Sequence, residues 1–416
     1  MRKFSLFFCL LIINISSLLI AQNVNDSDKK FVSGITVLGL KRTKLSTAEQ
    51  PLLKFIGVEA GSLDINEVWA VILNTGILEP VSVELQNTDA GHVDLVVIVR
   101  EKWSIFPVPV FMASNDGLSA GAALFDANAF GLNDKFFLSG LYLNGGWVAA
   151  AGYFHSSPGG YSPGWNGMAV YTSLESKDVD QRNNTLRRFD VNTLHLMAGL
   201  NFDLYGLFPF SVSPNVFFED KHLTLDDNSI NAPEQSQRIY GAGLGISYNK
   251  SSWDGYLLSG ENASLRYSFS KIHDTGSFQS VKLRGVLEKS LIPGFRLVTR
   301  AGLVFDPDAP VLFESSPSEA QVDILPQSFS ARNYAGVSAG LEKYLLRMSV
   351  GTLSLAAAYQ VVYSDGSILG SSLDHGLAAK LSFYLSRLAI PAIGLGVAYN
   401  VSEQYLQGVF SLGMSF

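Results

Sequence analysis

The chain has little cysteine and little charge. Its 416 residues include a single cysteine, Cys9, in the apolar run at the start of the chain, so an exported form would have no thiol for disulfide or zinc–cysteine chemistry. Charged residues make up 16% of the chain, against about 25% in typical soluble proteins. The 37 acidic residues outnumber the 30 basic ones, and this net charge of −7 disfavours nucleic acid as a partner.

Long apolar runs are missing as well. Apolar residues make up 47% of the chain, yet no uninterrupted run after residue 21 reaches the roughly 20 residues that a transmembrane helix needs. Low charge without such a helix is typical of a membrane β-barrel, whose strands alternate between lipid and lumen.

Patterns for catalysis or metal binding are also scarce. The chain has six histidines. Those in or near the predicted strands and loops are His155, His195, His222, His273 and His375. None pairs with another at metal-ligand spacing, and no Gly-x-Ser-x-Gly elbow occurs. We therefore interpret them as isolated polar residues and expect no enzyme activity, no cofactor and no metal site.

The start of the chain predicts export. Two basic residues precede an apolar run over 4–20 that ends at Ala21. A basic start, an apolar middle and a small residue at the cleavage point are typical of a secretory signal peptide, here residues 1–21. The alternative is a membrane anchor helix, which the polar residues inside the run disfavour.

Residues 31–101, after a short segment at 22–30, predict a small α+β domain. The pattern indicates strands at 31–40, 81–85 and 93–99 and helices at 47–56 and about 65–73. Asp64 is placed to cap the second helix. The β-α-α-β-β order offers a sheet edge to which an extended peptide can add as a further strand.

Residues 102–416 predict strand after strand. About 16 candidates, an even number typical of single-chain bacterial barrels, begin near Ser104, Leu118, Lys135, Trp147, Gly164, Phe189, Phe208, Gln237, Gly260, Ser277, Phe295, Ala335, Val350, Leu373, Ala389 and Tyr405. An open sheet edge in lipid would leave backbone groups unpaired, so the sheet must close. The predicted fold is a transmembrane antiparallel β-barrel behind one small α+β domain.

Alternation along the strands supports a barrel. Leu265, Tyr267 and Phe269 share one face and have polar neighbours on the other. At the end of the chain Phe410 and Phe416 share an apolar face, and a terminal aromatic there is common in bacterial outer-membrane barrels. The alternative is a large soluble β-sandwich or barrel whose charges face water.

Loop lengths predict the orientation. Long connections are expected over 177–188, 221–236 and 307–334, and short ones after the intervening strands. Because outer-membrane barrels carry short turns in the periplasm and long loops outside, the α+β domain is expected in the periplasm.

The α+β segment resembles a POTRA domain, the module that precedes outer-membrane assembly barrels. The resemblance is carried by "GITVLGLKRT", "FIGVEAGSLDINEV", "LNTGILEPVSVEL" and "VDLVVIVREKW", in this order.

The whole chain resembles the BamA/TamA outer-membrane assembly superfamily, also called bacterial surface antigen proteins. Beyond the POTRA-like segment the matching stretches are "LFDANAFGLND", "AGLEKYLLR", "VVYSDGS" and "DHGLAAKLSFYLSRLAIPAIGLGVAYN". Leu346 stands where the family usually has proline. Only one POTRA-like domain is present, so the chain departs from the central assembly protein, which usually has several.

The resemblance implies a factor that inserts nascent outer-membrane proteins through a weak barrel seam. Its partners would be the outer-membrane bilayer, nascent outer-membrane or secreted protein clients, and accessory assembly subunits. Alternatives are a dedicated protein-translocation pore, a passive porin or surface antigen, and a barrel enzyme. Translocation pores usually carry an N-terminal plug helix, for which residues 23–30 are too short.

The sixth outer loop predicts a lumenal anchor. The family usually ends this loop with an Arg-Gly-aromatic tip, and "SFSARNYAG" matches it with Arg332 and Tyr334 but has Asn333 in place of glycine. Asparagine tolerates left-handed backbone next best. An arginine in a narrow lumen should pair with a carboxylate, and we expect Glu342 or Asp365. The alternative is an exposed loop arginine.

The seam, where the first and last barrel strands meet, is the second site hypothesis. Pro107 and Pro109 lack an N–H, so a strand that contains them loses ladder bonds on one edge. The second strand is fixed by a tight turn, so we expect the missing donors to face the last strand, which carries Phe410 and Phe416. The alternative is that the prolines belong to a linker before the strand.

Overall fold

The computed structural model describes residues 29–89, 91–114, 117–143, 146–155, 163–204, 209–254, 257–348, 351–385 and 393–412. The predicted signal peptide at 1–21 and most of the segment at 22–30 lie outside this range. The chain divides into two compact units, with the boundary between Trp103 and Ser104.

The first unit is a small α+β domain. Its elements are β1 (Phe31–Leu38), α1 (Leu45–Glu49), α2 (Ile65–Asn74), β2 (Leu78–Asp89) and β3 (His92–Glu101). The sheet order is β1-β3-β2, with β1 parallel and β2 antiparallel to the central strand β3. The β-α-α-β-β order is the predicted one.

The first helix differs from its prediction over 47–56. α1 ends at Glu49 and the chain continues as a 3-10 helix over Gln50–Phe55. Pro51 is the physical reason, because it has no N–H to donate to the preceding helical turn. Gly57 then adopts a left-handed backbone with φ of 83° and ends the segment.

The second helix begins as predicted. The Asp64 side chain accepts a hydrogen bond from the Asn66 backbone N–H at 2.8 Å, as an N-cap should. The buried face of α2 presents Val68 and Ile72, and the central strand contributes Leu95 and Val97, all at most 2% exposed. Burying such side chains stabilises the domain by roughly 1.5–3 kcal/mol each.

Glu101, at the end of β3, fastens the chain between β1 and α1. Its carboxylate accepts hydrogen bonds from the backbone N–H groups of Lys41, Arg42 and Thr43 at 2.7–3.1 Å. Burial alone would raise the pKa of Glu101, but these donors hold the pKa below its ordinary value of 4.5. The ionised carboxylate is therefore the form that stabilises this loop.

We predict that Glu101→Gln loosens the 41–43 loop, because a neutral amide accepts these bonds less strongly. The measurement is amide hydrogen exchange in the full chain, with faster exchange expected at Lys41, Arg42 and Thr43. In the folded protein the pKa of Glu101 lies below its ordinary value of 4.5. In the unsubstituted protein these three amides should therefore be fully protected from exchange above pH 4.5, and their protection should decline as the pH falls through the folded pKa. Unchanged exchange in the variant would contradict this role for the carboxylate.

The second unit is one antiparallel sheet of 16 strands. The strands are β4 (Ile105–Ser114), β5 (Gly117–Ala129), β6 (Asp134–Leu143), β7 (Gly146–His155), β8 (Gly164–Val179), β9 (Thr185–Asp203), β10 (Phe210–Thr224), β11 (Gln237–Asp254), β12 (Leu257–Ile272), β13 (Gly276–Ile292), β14 (Phe295–Phe305), β15 (Asn333–Met348), β16 (Gly351–Ser367), β17 (Gly370–Leu385), β18 (Ile393–Asn400) and β19 (Tyr405–Leu412).

The sheet closes on itself. Each strand pairs with its neighbours in the sequence, and the outermost strands β4 and β19 approach within 8 Å between Cα atoms. The predicted barrel of about 16 strands is therefore confirmed. The largest errors in predicted strand starts are at Phe189 and Ala389, each four residues from the observed Thr185 and Ile393.

The barrel has an apolar outside and a polar inside. Leu265, Tyr267 and Phe269 point outward and are 40–42% exposed. Ser338 and Gln360 point inward and are at most 4% exposed. This alternation is what a strand needs when one face meets lipid. No helix in the described residues is long and apolar enough to cross a membrane.

The two ends of the barrel differ. We call the end where β4 begins and β19 ends the turn end, because connections such as Pro293-Gly294 are short there. We call the opposite end the loop end.

The predicted long loop over 177–188 is wrong. β8 and β9 extend through it and leave only 180–184, because Lys177 pairs with Arg188 and Asp178 forms an ion pair with Arg187 at 2.9 Å.

Candidate functional site

Residues 306–332, between β14 and β15, fold into the barrel, and we call them the plug. Ala320, Ile324, Leu325 and Phe329 of the plug are at most 1% exposed. They form one buried cluster with wall residues that include Val304, Tyr334, Val362 and Ala398. The loop at 307–334 is predicted as a long outer loop with its Arg332 tip in the lumen, and the structure places residues 320–331 in the lumen as well.

Two wall glycines make room for the plug backbone. A Cβ added at Gly302 would lie 2.6 Å from the Ala320 Cα, and one added at Gly336 would lie 2.5 Å from the Ala320 carbonyl oxygen. Both distances are too short for a side chain. The plug is thus seated directly on the backbones of β14 and β15 at Ala320.

Ion pairs hold the plug to distant strands. Glu314 accepts from the Arg187 guanidinium of β9 at 2.9 Å. Glu319 pairs with Arg284 of β13 and lies 3.7 Å from the Lys282 Nζ of the same strand. Because these partners sit on separate strands, the plug links β9 to β13 across the lumen.

Arg332 lies at the end of the plug, but its carboxylate partner differs from the expected ones. The Arg332 Nε is 3.8 Å from the Glu314 Oε1. The aliphatic part of the Arg332 side chain packs on Gly366, because a Cβ added to this glycine would lie only 3.0 Å from the Arg332 Cβ. Glu342 pairs elsewhere, and Asp365 accepts from the Asn333 Nδ2 at 3.4 Å. Glu314 lies in the same loop, and no sequence pattern separates it from other loop acids.

Asn333 and Tyr334 begin β15. Asn333 is a strand residue rather than part of a left-handed turn, and its side-chain oxygen accepts from the Asp306 N–H at 3.0 Å. Tyr334 is 1% exposed, and its hydroxyl donates to the Phe329 carbonyl at 3.3 Å. Glycine is therefore not required at this position, while the aromatic residue packs against the plug.

Glu342 belongs to a second buried site, near the turn end of the lumen. Its Oε2 accepts from Nε and Nη2 of Arg296 at 2.8 and 2.6 Å, and Arg296 Nη1 also donates to Glu288 at 3.1 Å. Ser354 and Tyr384 donate to the Glu342 Oε1 at 2.5 and 2.9 Å. Five neighbouring strands, β13 to β17, thus meet at one guanidinium–carboxylate cluster.

The lumen also contains an open cavity of about 800 Å³ beside the plug. Its wall side is formed by β7 to β13, and charged residues that line it include Glu219, Arg266, Lys282 and Arg284. The cavity therefore has charged groups on its wall and is bordered on one side by the plug.

Both seam prolines lie within β4, not in a linker before it. Ser104 O accepts from Ala127 N at 2.8 Å, and Ser114 pairs with Gly117. In an antiparallel pair hydrogen-bonded positions alternate, so the even-numbered residues of β4 bond to β5. The backbone nitrogens of Pro107 and Pro109 therefore point away from β5, toward the side on which β19 lies.

The seam has short strands on both sides. β4 has 10 residues and β19 has 8 over its described part, compared with 19 in β9. Within the described residues, each barrel strand is hydrogen-bonded to the next one from β4 through β19, but β19 forms no ladder with β4. Phe410 pairs with Leu395 in the β18–β19 ladder, while its side chain and all of Phe416 lie outside the described residues.

The interpretation of the histidines as isolated polar residues is wrong. His273 Nε2 lies 3.2 Å from Asp274 Oδ2, and His375 Nδ1 lies 2.8 Å from the Tyr359 hydroxyl. Two further histidines lie beside a carboxylate of the neighbouring strand. His155 Nδ1 lies 2.8 Å from Asp134 Oδ1, and His195 Nδ1 lies 3.2 Å from Glu219 Oε2. Both pairs join neighbouring strands. Within the described residues, no group of three or more His, Cys, Asp or Glu side chains could hold a metal ion.

We predict that Arg296→Met destabilises the barrel by about 3–5 kcal/mol, because it leaves the Glu342 and Glu288 carboxylates buried without a cation. Arg238→Met is the control, since Arg238 and its partner Asp220 are 46% and 33% exposed and such pairs contribute about 0–1 kcal/mol. Denaturant unfolding followed by tryptophan fluorescence measures both. Equal losses would contradict the importance of the buried cluster.

We predict that Gly336→Leu displaces the plug, because the new side chain would overlap the Ala320 backbone. Ion conductance in planar bilayers should rise several-fold. The matched control is Gly285→Leu on β13, where an added Cβ meets nothing within 4 Å. If both variants conduct like the unsubstituted protein, the plug does not limit the opening of the lumen.

Sequence comparisons identify no relatives: no family model matches the chain, and no curated protein matches it.

Solved structures do match the fold. BamA from Haemophilus ducreyi lacking POTRA domains 1–3 superposes with a TM-score of 0.63 at 13% identity, over 92% of this chain and 84% of that one. CdiB from Acinetobacter baumannii gives 0.61 at 15% identity, over 94% and 74%. CdiB from Escherichia coli gives 0.54 at 15% identity, over 95% and 91%. The resemblance to the BamA/TamA superfamily is thus confirmed at the level of the fold: the chain has the barrel architecture of BamA and CdiB.

Proposed function

We propose that this protein is an assembly factor that inserts nascent proteins into the outer membrane through the seam of its barrel. The barrel would lie in the outer membrane, with the loop end outside and the small α+β domain in the periplasm. The observation that carries the proposal is the seam, where two prolines turn their backbone nitrogens away from β5 on a short first strand.

The seam geometry supports transient opening. Pro107 and Pro109 cannot donate to β19, and each missing backbone bond removes roughly 1 kcal/mol. Opening exposes backbone groups that lipid cannot satisfy. A client strand that pairs with the exposed edge would satisfy them, so the same groups that weaken the seam would template the client.

The α+β domain supports the delivery of clients. β2 is an edge of its three-stranded sheet, and Val81 on this strand is 57% exposed. An extended segment of a nascent protein can add to such an edge through main-chain hydrogen bonds. We propose that this POTRA-like domain binds clients in this way, and that any accessory assembly subunits dock on the periplasmic side.

A dedicated translocation pore is the second candidate. The open cavity of about 800 Å³ beside the plug favours it, because an unfolded chain could pass if the plug left the lumen. A passive porin or surface antigen is less well supported, since the plug is fastened to several strands by ion pairs. None of these roles requires a catalytic site, and we propose that the protein is not an enzyme.

We predict that a disulfide between cysteines placed in β4 and β19 abolishes client insertion while the barrel stays folded. The only natural cysteine is Cys9, in the predicted signal peptide, so the mature chain offers no competing thiol. A matched disulfide inside the wall, Leu265→Cys with Leu283→Cys, joins residues already paired between β12 and β13. Client insertion should be unchanged in the control variant with the β12–β13 disulfide. In the variant with the β4–β19 disulfide, insertion should return when the disulfide is reduced.

Depletion of the protein in its native host separates the candidates. An inventory of outer-membrane proteins should show a broad loss for a general insertase. Loss of a single exported protein would indicate a dedicated pore. An unchanged inventory, or full insertion with a locked seam, would contradict the proposed function and favour a passive barrel.

A further inference from the structure

Gln407 connects the last strand to the plug. It lies on the lumenal face of β19 and is 9% exposed. Its Nε2 donates to two plug carbonyls, those of Asp323 and Leu325, the latter at 2.9 Å. One amide therefore satisfies two buried backbone acceptors that would otherwise lack this donor.

The same part of the plug is also held by an interior strand. The Asp323 N–H donates to the Gln360 Oε1 of β16 at 2.7 Å, and Gln360 Nε2 donates back to the Asp323 carboxylate at 3.2 Å. Gln360 is 1% exposed, and β16 pairs with strands on both sides. Residues 323–325 thus bridge from a fully paired strand to the strand at the seam.

This bridge matters because β19 has one neighbour in the described sheet. Its ladder to β18 runs from Tyr405 to Leu412. Gln407 gives the strand a second attachment that is independent of the ladder. Moving residues 323–325 away from the wall would remove that attachment, so that β18 would provide the one remaining ladder to β19 among the described residues.

A second contact reaches the same hairpin from the loop end. Arg182, between β8 and β9, lies with its Nε 3.0 Å from Oε2 of Glu403, in the turn between β18 and β19. Their side chains are 61% and 32% exposed, and ion pairs of this kind contribute little. The buried amide of Gln407 is therefore the stronger of the two attachments.

We propose that Gln407 is a positioning residue that latches the last strand to the plug, so that the plug controls the opening of the seam. With the plug seated, the latch holds β19 in the closed wall. When a client or a chain in the lumen displaces residues 323–325, the latch releases and β19 separates from β4. The biological meaning of the latch rests on the proposed function, but its effect on the seam does not.

The test uses Gln407→Glu in the full chain. Glutamate has nearly the same shape as glutamine, but its carboxylate only accepts hydrogen bonds and repels the two plug carbonyls. Spin labels at Leu138→Cys on β6 and Leu406→Cys on β19 report the distance across the seam by pulsed electron resonance. Both leucines are outward, at 50% and 60% exposed.

We expect the long-distance, open population to rise roughly tenfold in Gln407→Glu, since two hydrogen bonds to buried carbonyls are lost. A matched label pair, Leu244→Cys on β11 with Leu303→Cys on β14, also spans three strand steps and should not change. Gln407→Ala serves as a second variant if the glutamate prevents folding, and it removes the same donor without adding charge.

Gln360→Glu tests the plug side of the same bridge. It places a carboxylate against Asp323 and weakens the seat of residues 323–325. Because the proposal makes the position of these residues control the seam, we expect the seam to open in this variant too, although Gln407 is unchanged. A seam that stays closed would overturn control of the seam by the plug, and a change in the matched label pair would show that the whole barrel loosens.

Client insertion is measured separately in the same variants. An unchanged seam distance in both Gln407 variants overturns the latch, whatever insertion does. An open seam with unchanged insertion upholds the latch and counts against the proposed assembly function. An open seam with altered insertion supports both.

Discussion

The fold depends on one constraint, that the backbone N–H and C=O groups at the edges of a sheet must find partners. This constraint makes the 16 strands close into a barrel. Closure puts every second side chain into a lumen, where polar residues then need partners of their own. The plug and the Arg296–Glu342 cluster provide such partners. At the seam, the first barrel strand lacks two backbone donors, at Pro107 and Pro109.

The lumen carries two kinds of polar contact with different consequences. The Arg296 cluster near the turn end joins five adjacent strands through side chains of the wall itself. The contacts of Glu314, Glu319 and Asp323 instead join the wall to a single loop. Movement of that loop can therefore alter the edge strand without dismantling the wall. This division is consistent with the proposed opening of the barrel at its seam.

Much of the fold could be predicted from local pattern. Period-two alternation identifies the barrel strands because one face of each is apolar and the other is polar, and short turn signals separate them. The α+β domain follows from the same reasoning, apart from the first helix, which Pro51 shortens. The prediction of a loop over 177–188 is wrong because its polar residues are paired in the ladder between β8 and β9.

The sequence by itself determined which residues face the lumen, since parity along a strand is a local property. Alternation alone places Glu342 and Arg296 on the charged faces of their strands. Which lumenal groups meet was decided only by the tertiary structure. Glu342 contacts Arg296, Arg332 contacts Glu314, and Gln407 contacts the plug carbonyls. Alternation directs many polar side chains into the same lumen, so each of them has several possible partners. The closure of the barrel and the path of the 27-residue plug decide which of these side chains come into contact.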